Sequence, residues 1–396
     1  MPTRPCWVEI QTRRVEENYR FLQTLAAPQM ELLAIVKADA YGHSLPLCAP
    51  AVVRAGARWL GVTSVEEGVA ARAVCPESRV LVVSGAFPGE GKTVVENRLT
   101  AVAWELWQLD ELEGAARAAG LPAQSLPIHL EIDTGMSRQG VLPAELGAIL
   151  ARFGSGSPLR LEAVMTHLFA ADEANGVVTR KQLAELDKVV AQIEAAGLKP
   201  EWLNVGSSAA LLAGQAATVA DLAAHRGMKP MMRPGLALYG LVQDFDPPFA
   251  PHEEPEAMTA ARTHLQPVLS WKTRVAGVRT VPAGSMVGYN GTFVATQPTR
   301  LALLAVGYAD GLDRMLARHF SLLVRGQRAP FAGRISMDQS VLDVTGIPGV
   351  EAGDEVVILG TQGGETITAF DHAKATGTIP WEVFTRIGPR VQRVAV

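Results

Sequence analysis

In the stretch "AIVKADAYGHS" (34–44), an apolar run ends in Lys37, and Tyr41, Gly42 and His43 follow at once. An ammonium group at the end of a buried strand is costly unless it is paired or loses its proton. As a neutral amine it is a nucleophile that forms a Schiff base with a carbonyl carbon. Four further sets of groups follow apolar runs or lie beside them. They are Arg138 in "DTGMSRQG", His167 in "MTHLFAADE", the pair Ser207 and Ser208 in "NVGSSAA", and Arg233 in "MMRPGLALYG". Desolvation and neighbouring cations would lower the pKa of the lysine. The small residues of "GSSAA" and "RPGL" offer backbone N–H groups and hydroxyls to a phosphate. Lysine, phosphate cradle and arginine together point to pyridoxal 5′-phosphate (PLP). His43 reads as structural, Asp133 as a turn or arginine-orienting residue, and Glu66 and Glu67 as a solvated helix start.

These groups need a scaffold that brings strand ends together. Eight short apolar runs precede or carry them: 32–36, 59–63, 80–84, 100–104, 128–132, 161–166, 202–206 and 236–240. Between them lie helical patterns. In "KQLAELDKVVAQIEAAG", for example, Leu183, Leu186, Val189, Val190 and Ile193 recur at helical spacing. Strands alternating with helices predict a parallel sheet, and eight such units predict an α/β fold of the (β/α)8 TIM-barrel type. A barrel carries its chemistry at the C-terminal ends of its strands, where Lys37, Arg138, His167 and Ser208 fall. An open doubly wound sheet is disfavoured because no GxGxxG follows the first strand. After Leu241 the pattern changes. Residues 1–241 are assigned to the barrel, the Pro-rich and charged 242–266 to a linker or excursion, and 267–396, with short alternating runs, to an all-β domain.

Composition narrows the function. The chain has 396 residues, 48% of them hydrophobic and 19% charged, which fits a well-cored globular protein. Its formal net charge of -4 gives no electrostatic reason to expect nucleic acid. Cys6, Cys48 and Cys75 form no CxxC pair and suggest neither a disulfide framework nor a zinc site. No metal site is expected. With no long apolar run and no signal-like N-terminus, no membrane association is expected and the cytoplasm is the default compartment.

Nearly the whole chain resembles the alanine racemase family of fold-type III PLP enzymes. The motifs that carry the resemblance are "VKADAYGH", "DTGMSRQG", "MTHLFAADE", "RPGLALYG", "VGYNGTF", "VGYADG", "GRISMDQ" and "TIPWEVFTRIGPR". The resemblance implies an amino-acid substrate, with alanine the first choice, and a homodimer whose active sites borrow residues from the partner's β-domain. Lys37 resembles the PLP-binding lysine and one catalytic base. Tyr289, in "VGYNGTF", resembles the second base, which acts on the opposite face of the substrate from the other subunit. His167 and Arg233 resemble the network that supports it, and Arg233 also resembles the residue facing the pyridine nitrogen. Tyr41, Ser208 and the backbone at Leu236 resemble phosphate contacts. Arg138 resembles the arginine shared by cofactor and substrate carboxylate. Met337 and Asp338 resemble the partner-subunit wall beside the substrate, and Tyr308 an aromatic of the access channel.

Some positions depart from the family pattern. Glu131 stands where the family often has a lysine carrying a carbamate, and we expect its charge to pair with Arg138. Trp381 stands where a tyrosine reaches the phosphate, and an indole N–H would donate from a different place. Ser207 replaces a common asparagine, and Ser336 a cysteine found in some relatives. Racemases of broader specificity and PLP-dependent decarboxylases are the enzyme alternatives. A non-catalytic PLP-binding protein is the alternative of a different class, and the β-domain bearing Tyr289 argues against it.

Overall fold

The computed structural model describes residues 4–250 and 252–396. It divides into two units. One comprises Arg13–Ala40 and Leu45–Gln266; the other comprises the residues up to Thr12, Tyr41–Ser44 and Pro267–Val396.

The first unit is a barrel of parallel strands. Their order is Glu31–Leu32, Lys229–Arg233, Trp202–Ser207, Leu159–Thr166, Leu126–Glu131, Thr100–Ala103, Arg79–Val82, Trp59–Val62 and Ala34–Ile35. The first and last pieces belong to one stretch of chain, interrupted only at Leu33. The Leu33 N–H donates to Met232 and the Val36 N–H to Gly61, so the stretch has a neighbour on either side and the sheet closes on itself. Gly61 allows that closure, because a Cβ there would lie 2.5 Å from the side chains of Ile35 and Leu33. Strands buried on both faces read as continuous apolar runs, which is why most were legible in the sequence.

The eighth strand differs from the expectation. "LALYG" forms a 3-10 turn over Leu236–Tyr239, and the strand is Lys229–Arg233, "KPMMR". Its lysine, proline and arginine disguise a segment whose Met231 and Met232 are fully buried. Arg233 therefore ends a strand rather than preceding one.

The helices cover the barrel. Val177–Ala195 buries Leu183, Leu186, Val189, Val190 and Ile193, as the spacing predicts. The segment read as a linker contains the helix Glu256–His264, and His264 stacks on Phe21 with ring centroids 4.9 Å apart. Asn18 ties this region to the turn after the eighth strand: its amide donates to the carbonyls of Leu238 and Gln266. No helix among the described residues is long and apolar enough to cross a membrane.

The second unit is built on the thirteen-residue strand Leu269–Val281, whose first half alternates buried and half-buried positions. It pairs antiparallel with Cys6–Ile10, Thr299–Leu304 and Glu355–Gln362. Cys6–Ile10 in turn runs parallel to Gln392–Ala395, so the first strand of the chain sits in this sheet although 1–241 reads along the sequence as barrel. The unit is mainly rather than wholly β: Ala369–Thr376 and Pro380–Thr385 are helices.

Candidate active site

The strand Ala34–Ile35 delivers Lys37 to the C-terminal mouth of the barrel. Directly after it, Ala38, Asp39, Ala40 and Tyr41 all take left-handed backbone angles, with φ of 52–56°. L-residues avoid this region at a cost of about 1–2 kcal/mol each, so the turn must be held by its surroundings. Glu67 supplies part of that hold. Its carboxylate accepts the N–H of Ala38 at 2.7 Å and of Thr63 at 2.9 Å. Glu67, expected on a solvated helix start, is thus a clamp on the residue after the lysine. Asp39 accepts the N–H of Leu45 at 2.6 Å.

Lys37 is half-buried and makes no ion pair with a carboxylate among the described residues. Burial lowers its pKa, and the guanidinium groups of Arg138 and Arg233 lower it further, against a smaller opposing pull from Glu67. Arg233 is buried, and burial lowers its pKa to about 10, so it keeps its charge at neutral pH. It donates to the carbonyl and side-chain oxygens of Asn204 at 2.7 and 2.6 Å, to the carbonyl of Thr166 at 3.0 Å, and to His167 Nδ1 at 3.4 Å. These contacts occupy all four terminal N–H bonds, and only Nε–H has no acceptor among the described residues. His167 is pushed down to about 3 by burial and by Arg233, Arg138 and Lys37, so the ring is neutral. With Nδ1 accepting, its proton sits on Nε2.

Ser208 Oγ accepts the N–H groups of Gly235 at 2.9 Å and Ala237 at 3.2 Å, which fixes the turn around Leu236. A hydroxyl that accepts twice keeps its own hydrogen to donate. Arg138 is exposed on the loop that Asp133 caps through the N–H groups of Gly135 and Ser137.

Glu131 does not pair directly with Arg138. It is buried at a strand end, and its carboxylate accepts a short hydrogen bond from Gln139, which also reaches the Val83 carbonyl. Gln139, which the sequence reading overlooked, is half-buried and meets this carboxylate, whereas Arg138 is exposed. Burial raises the Glu131 carboxyl to about 7 against the pull of Gln139, Arg233 and Arg138.

The second unit gathers the other expected residues. Tyr289 opens a 3-10 turn and is 68% exposed, Met337 53% and Tyr308 42%. The N–H groups of Tyr308 and Ala309 donate to the carbonyls of Ser336 and Met337 at 3.0 Å, which sets these two loops side by side. Gly307 makes that approach possible: a Cβ there would meet the Ser336 carbonyl oxygen at 2.3 Å. The fully buried Asp310 accepts from Arg4, Arg390 and the Gly307 N–H, and Arg390 also binds Asp338. Trp381 is half-buried on the helix Pro380–Thr385. Burial raises the Tyr41 phenol to about 12. His43 is structural, with its ring donating to the Tyr41 carbonyl and packing edge-on against Phe384.

Residues 10–243 match the family described as "Alanine racemase, N-terminal domain", and 268–395 match "Alanine racemase, C-terminal domain". The chain belongs to the alanine racemase family. It is 37% identical to the alanine racemase of Symbiobacterium thermophilum over 98% of this chain and 97% of the relative. Among solved structures, the alanine racemase of D-cycloserine-producing Streptomyces lavendulae superposes with a TM-score of 0.86 at 36% identity, covering 100% of this chain and 98% of that one. The alanine racemase of Bartonella henselae, solved with covalently bound pyridoxal phosphate, gives 0.81 at 26% identity over 99% of each chain. As a member of this family the chain is an isomerase, an amino-acid racemase.

Proposed function

We propose that this chain interconverts L- and D-alanine with PLP held by Lys37, and that it works as a homodimer with shared sites. The observation that carries the reading is the barrel mouth itself. A strand-end lysine stands among cations that favour its neutral form, beside an arginine whose Nε–H, without an acceptor among the described residues, suits an unprotonated ring nitrogen. The residues present fit the cofactor: Lys37 for the aldehyde carbon, Ser208 and the backbone at Leu236 for the phosphate, and Arg233 for the ring nitrogen. Tyr41 and Trp381 complete the proposed phosphate contacts.

Bound PLP makes the α-proton of an amino acid acidic by conjugation with its ring. The chain's residues do the rest. Lys37 Nζ, whose charged form is disfavoured by burial and by Arg138 and Arg233, takes or returns that proton on one face. The Tyr289 phenolic oxygen of the partner subunit serves the opposite face, since inversion at carbon needs a base on each side. Neutral His167, with its proton on Nε2, offers a hydrogen bond from that atom to the phenolic oxygen. Arg138 holds the substrate carboxylate, and Met337 and Asp338 form the wall beside the substrate, with Tyr308 at the access channel. The exposure of Tyr289, Met337 and Tyr308 supports their use by a second copy. An arginine at the ring nitrogen withholds a proton from it, which limits side reactions that need a fully delocalised carbanion.

A circular-dichroism assay of the PLP-loaded enzyme over a panel of L-amino acids tests the reading. Alanine inverted fastest supports it; another amino acid inverted faster assigns a broader racemase; PLP binding with no inversion assigns a carrier.

A further inference from the structure

The barrel core holds a chain of polar side chains that the reaction above does not use. It starts at Arg79, the first residue of its strand, which donates to Glu162 at 2.6 Å. Arg160 donates to the other oxygen of Glu162 at 2.8 Å. His129 Nε2 lies 3.5 Å from Glu162, near enough for electrostatic attraction but not aligned as a hydrogen bond, and His129 Nδ1 lies 3.2 Å from Asn204 Nδ2. Asn204 Oδ1 then accepts from Arg233 at 2.6 Å. Glu162, His129 and Asn204 are at most 1% exposed and sit on three adjacent strands. Buried polar groups are expensive inside a barrel that apolar residues could fill, so this line needs a reason.

The order of donors along it is fixed by one fact. A guanidinium only donates, so Asn204 must present Oδ1 to Arg233 and therefore Nδ2 to His129. His129 Nδ1 must then be bare, and a neutral ring carries its proton on Nε2, towards Glu162. We propose that Glu162, His129 and Asn204 form a one-directional relay that locks the Arg233 guanidinium in place, so that all three are positioning residues for the cofactor's ring nitrogen.

The inference rests on the reading that Arg233 faces that nitrogen. The surroundings maintain the required states. Burial would raise the Glu162 carboxyl, but His129 and Arg79 override it and hold it down at about 2, so it stays ionised. Burial holds His129 below its ordinary range, with Arg79 and Arg233 adding to the effect and Glu162 opposing it. Trp59 closes its remaining side, 5.4 Å from the ring. Protonation of Nδ1 would set N–H against N–H at Asn204, turn the amide over, and take the side-chain acceptor away from Arg233.

The test is 15N NMR of the holoenzyme, labelled at histidine and carrying ring-15N PLP. Wild-type His129 is expected as a neutral ring, protonated on Nε2, from about pH 6 to about pH 9, a range in which an ordinary histidine titrates. The isosteric Asn204→Asp keeps an acceptor for Arg233 but must protonate His129 Nδ1. Asn204→Leu, and to a lesser degree Glu162→Gln, should shift the cofactor ring-nitrogen signal and weaken PLP binding. For Asn204→Leu the weakening is about tenfold, the scale of one lost charge-assisted hydrogen bond. A wild-type His129 protonated on Nδ1, or an Asn204→Asp ring left bare there, overturns the relay. Arg233→Lys separates the two readings. If it moves the ring-nitrogen signal and Asn204→Leu does not, the relay is wrong and the place of Arg233 stands. If Arg233→Lys leaves the signal unmoved, the placement of Arg233 fails and the relay's purpose fails with it.

Discussion

Glu131→Gln gives the sharpest thermodynamic test of the barrel mouth. The Glu131 carboxyl is raised from 4.5 to about 7, chiefly because it is buried. A carboxyl whose folded pKa lies above its unfolded value costs stability as it ionises. The unfolded chain loses this proton near 4.5 while the folded one keeps it to about 7. Stability from this group is therefore full below 4.5, falls as pH rises through that window, and is lowest above 7. At about 1.4 kcal/mol per decade the loss is about 3 kcal/mol. Glutamine keeps the shape, can still accept from Gln139, and never ionises. The variant should match wild type near pH 4.5 and gain on it as pH rises, to a plateau above 7. Thermal midpoints of both proteins in matched buffers across that range measure the difference, and 13C NMR of the glutamate carboxyl measures the titration directly. A difference that stays flat with pH, or wild type gaining on the variant as pH rises, would refute the burial argument. So would a Glu131 carbon that titrates near 4.5.

Further outcomes follow from the same geometry. Lys37→Ala should lose both racemisation and the absorbance of covalently held PLP; retained absorbance would remove Lys37 from its role. Tyr289→Phe should keep that absorbance but lose racemisation by about a hundredfold or more, the scale of a missing general base. Mixed with Lys37→Ala, it should regain part of the activity once mixed dimers are shown to form. Ala38→Gly relieves a left-handed alanine and should stabilise the fold by about 1 kcal/mol, read as a raised denaturation midpoint. Gly307→Ala drives a methyl into the Ser336 carbonyl and should raise KM for alanine by displacing the loop of Met337, with little change in bound PLP.

What the sequence revealed depended on where each residue sits in a strand. Lys37, His167 and Ser208 were legible because each ends or follows an apolar run, and a closed parallel barrel gives strand ends a meaning. The strand Lys229–Arg233 was missed because proline and charge interrupt its pattern, and the apolar "LALYG" beside it drew the assignment. The strand Cys6–Ile10 was invisible as part of the β unit, since its partners lie more than 250 residues away along the chain. The relay residues carried a readable sign that was passed over: "IHLEI", "LEAVMT" and "WLNVG" each set a polar residue inside a strand buried on both faces. Glu67 and Gln139 had no such sign, because a surface carboxylate and one that clamps a distant N–H have the same sequence context, as do a loop glutamine in water and one that donates to a buried carboxylate.

The left-handed turn after Lys37 has a stereochemical consequence. Its backbone angles are those a mirror-image residue adopts without strain. A semisynthetic chain carrying D-alanine at position 38 should therefore be more stable than the natural one, by about the 1–2 kcal/mol that the L-residue costs there. A chain that inverts alanine for others would itself be better accommodated, at this one position, by the inverted form.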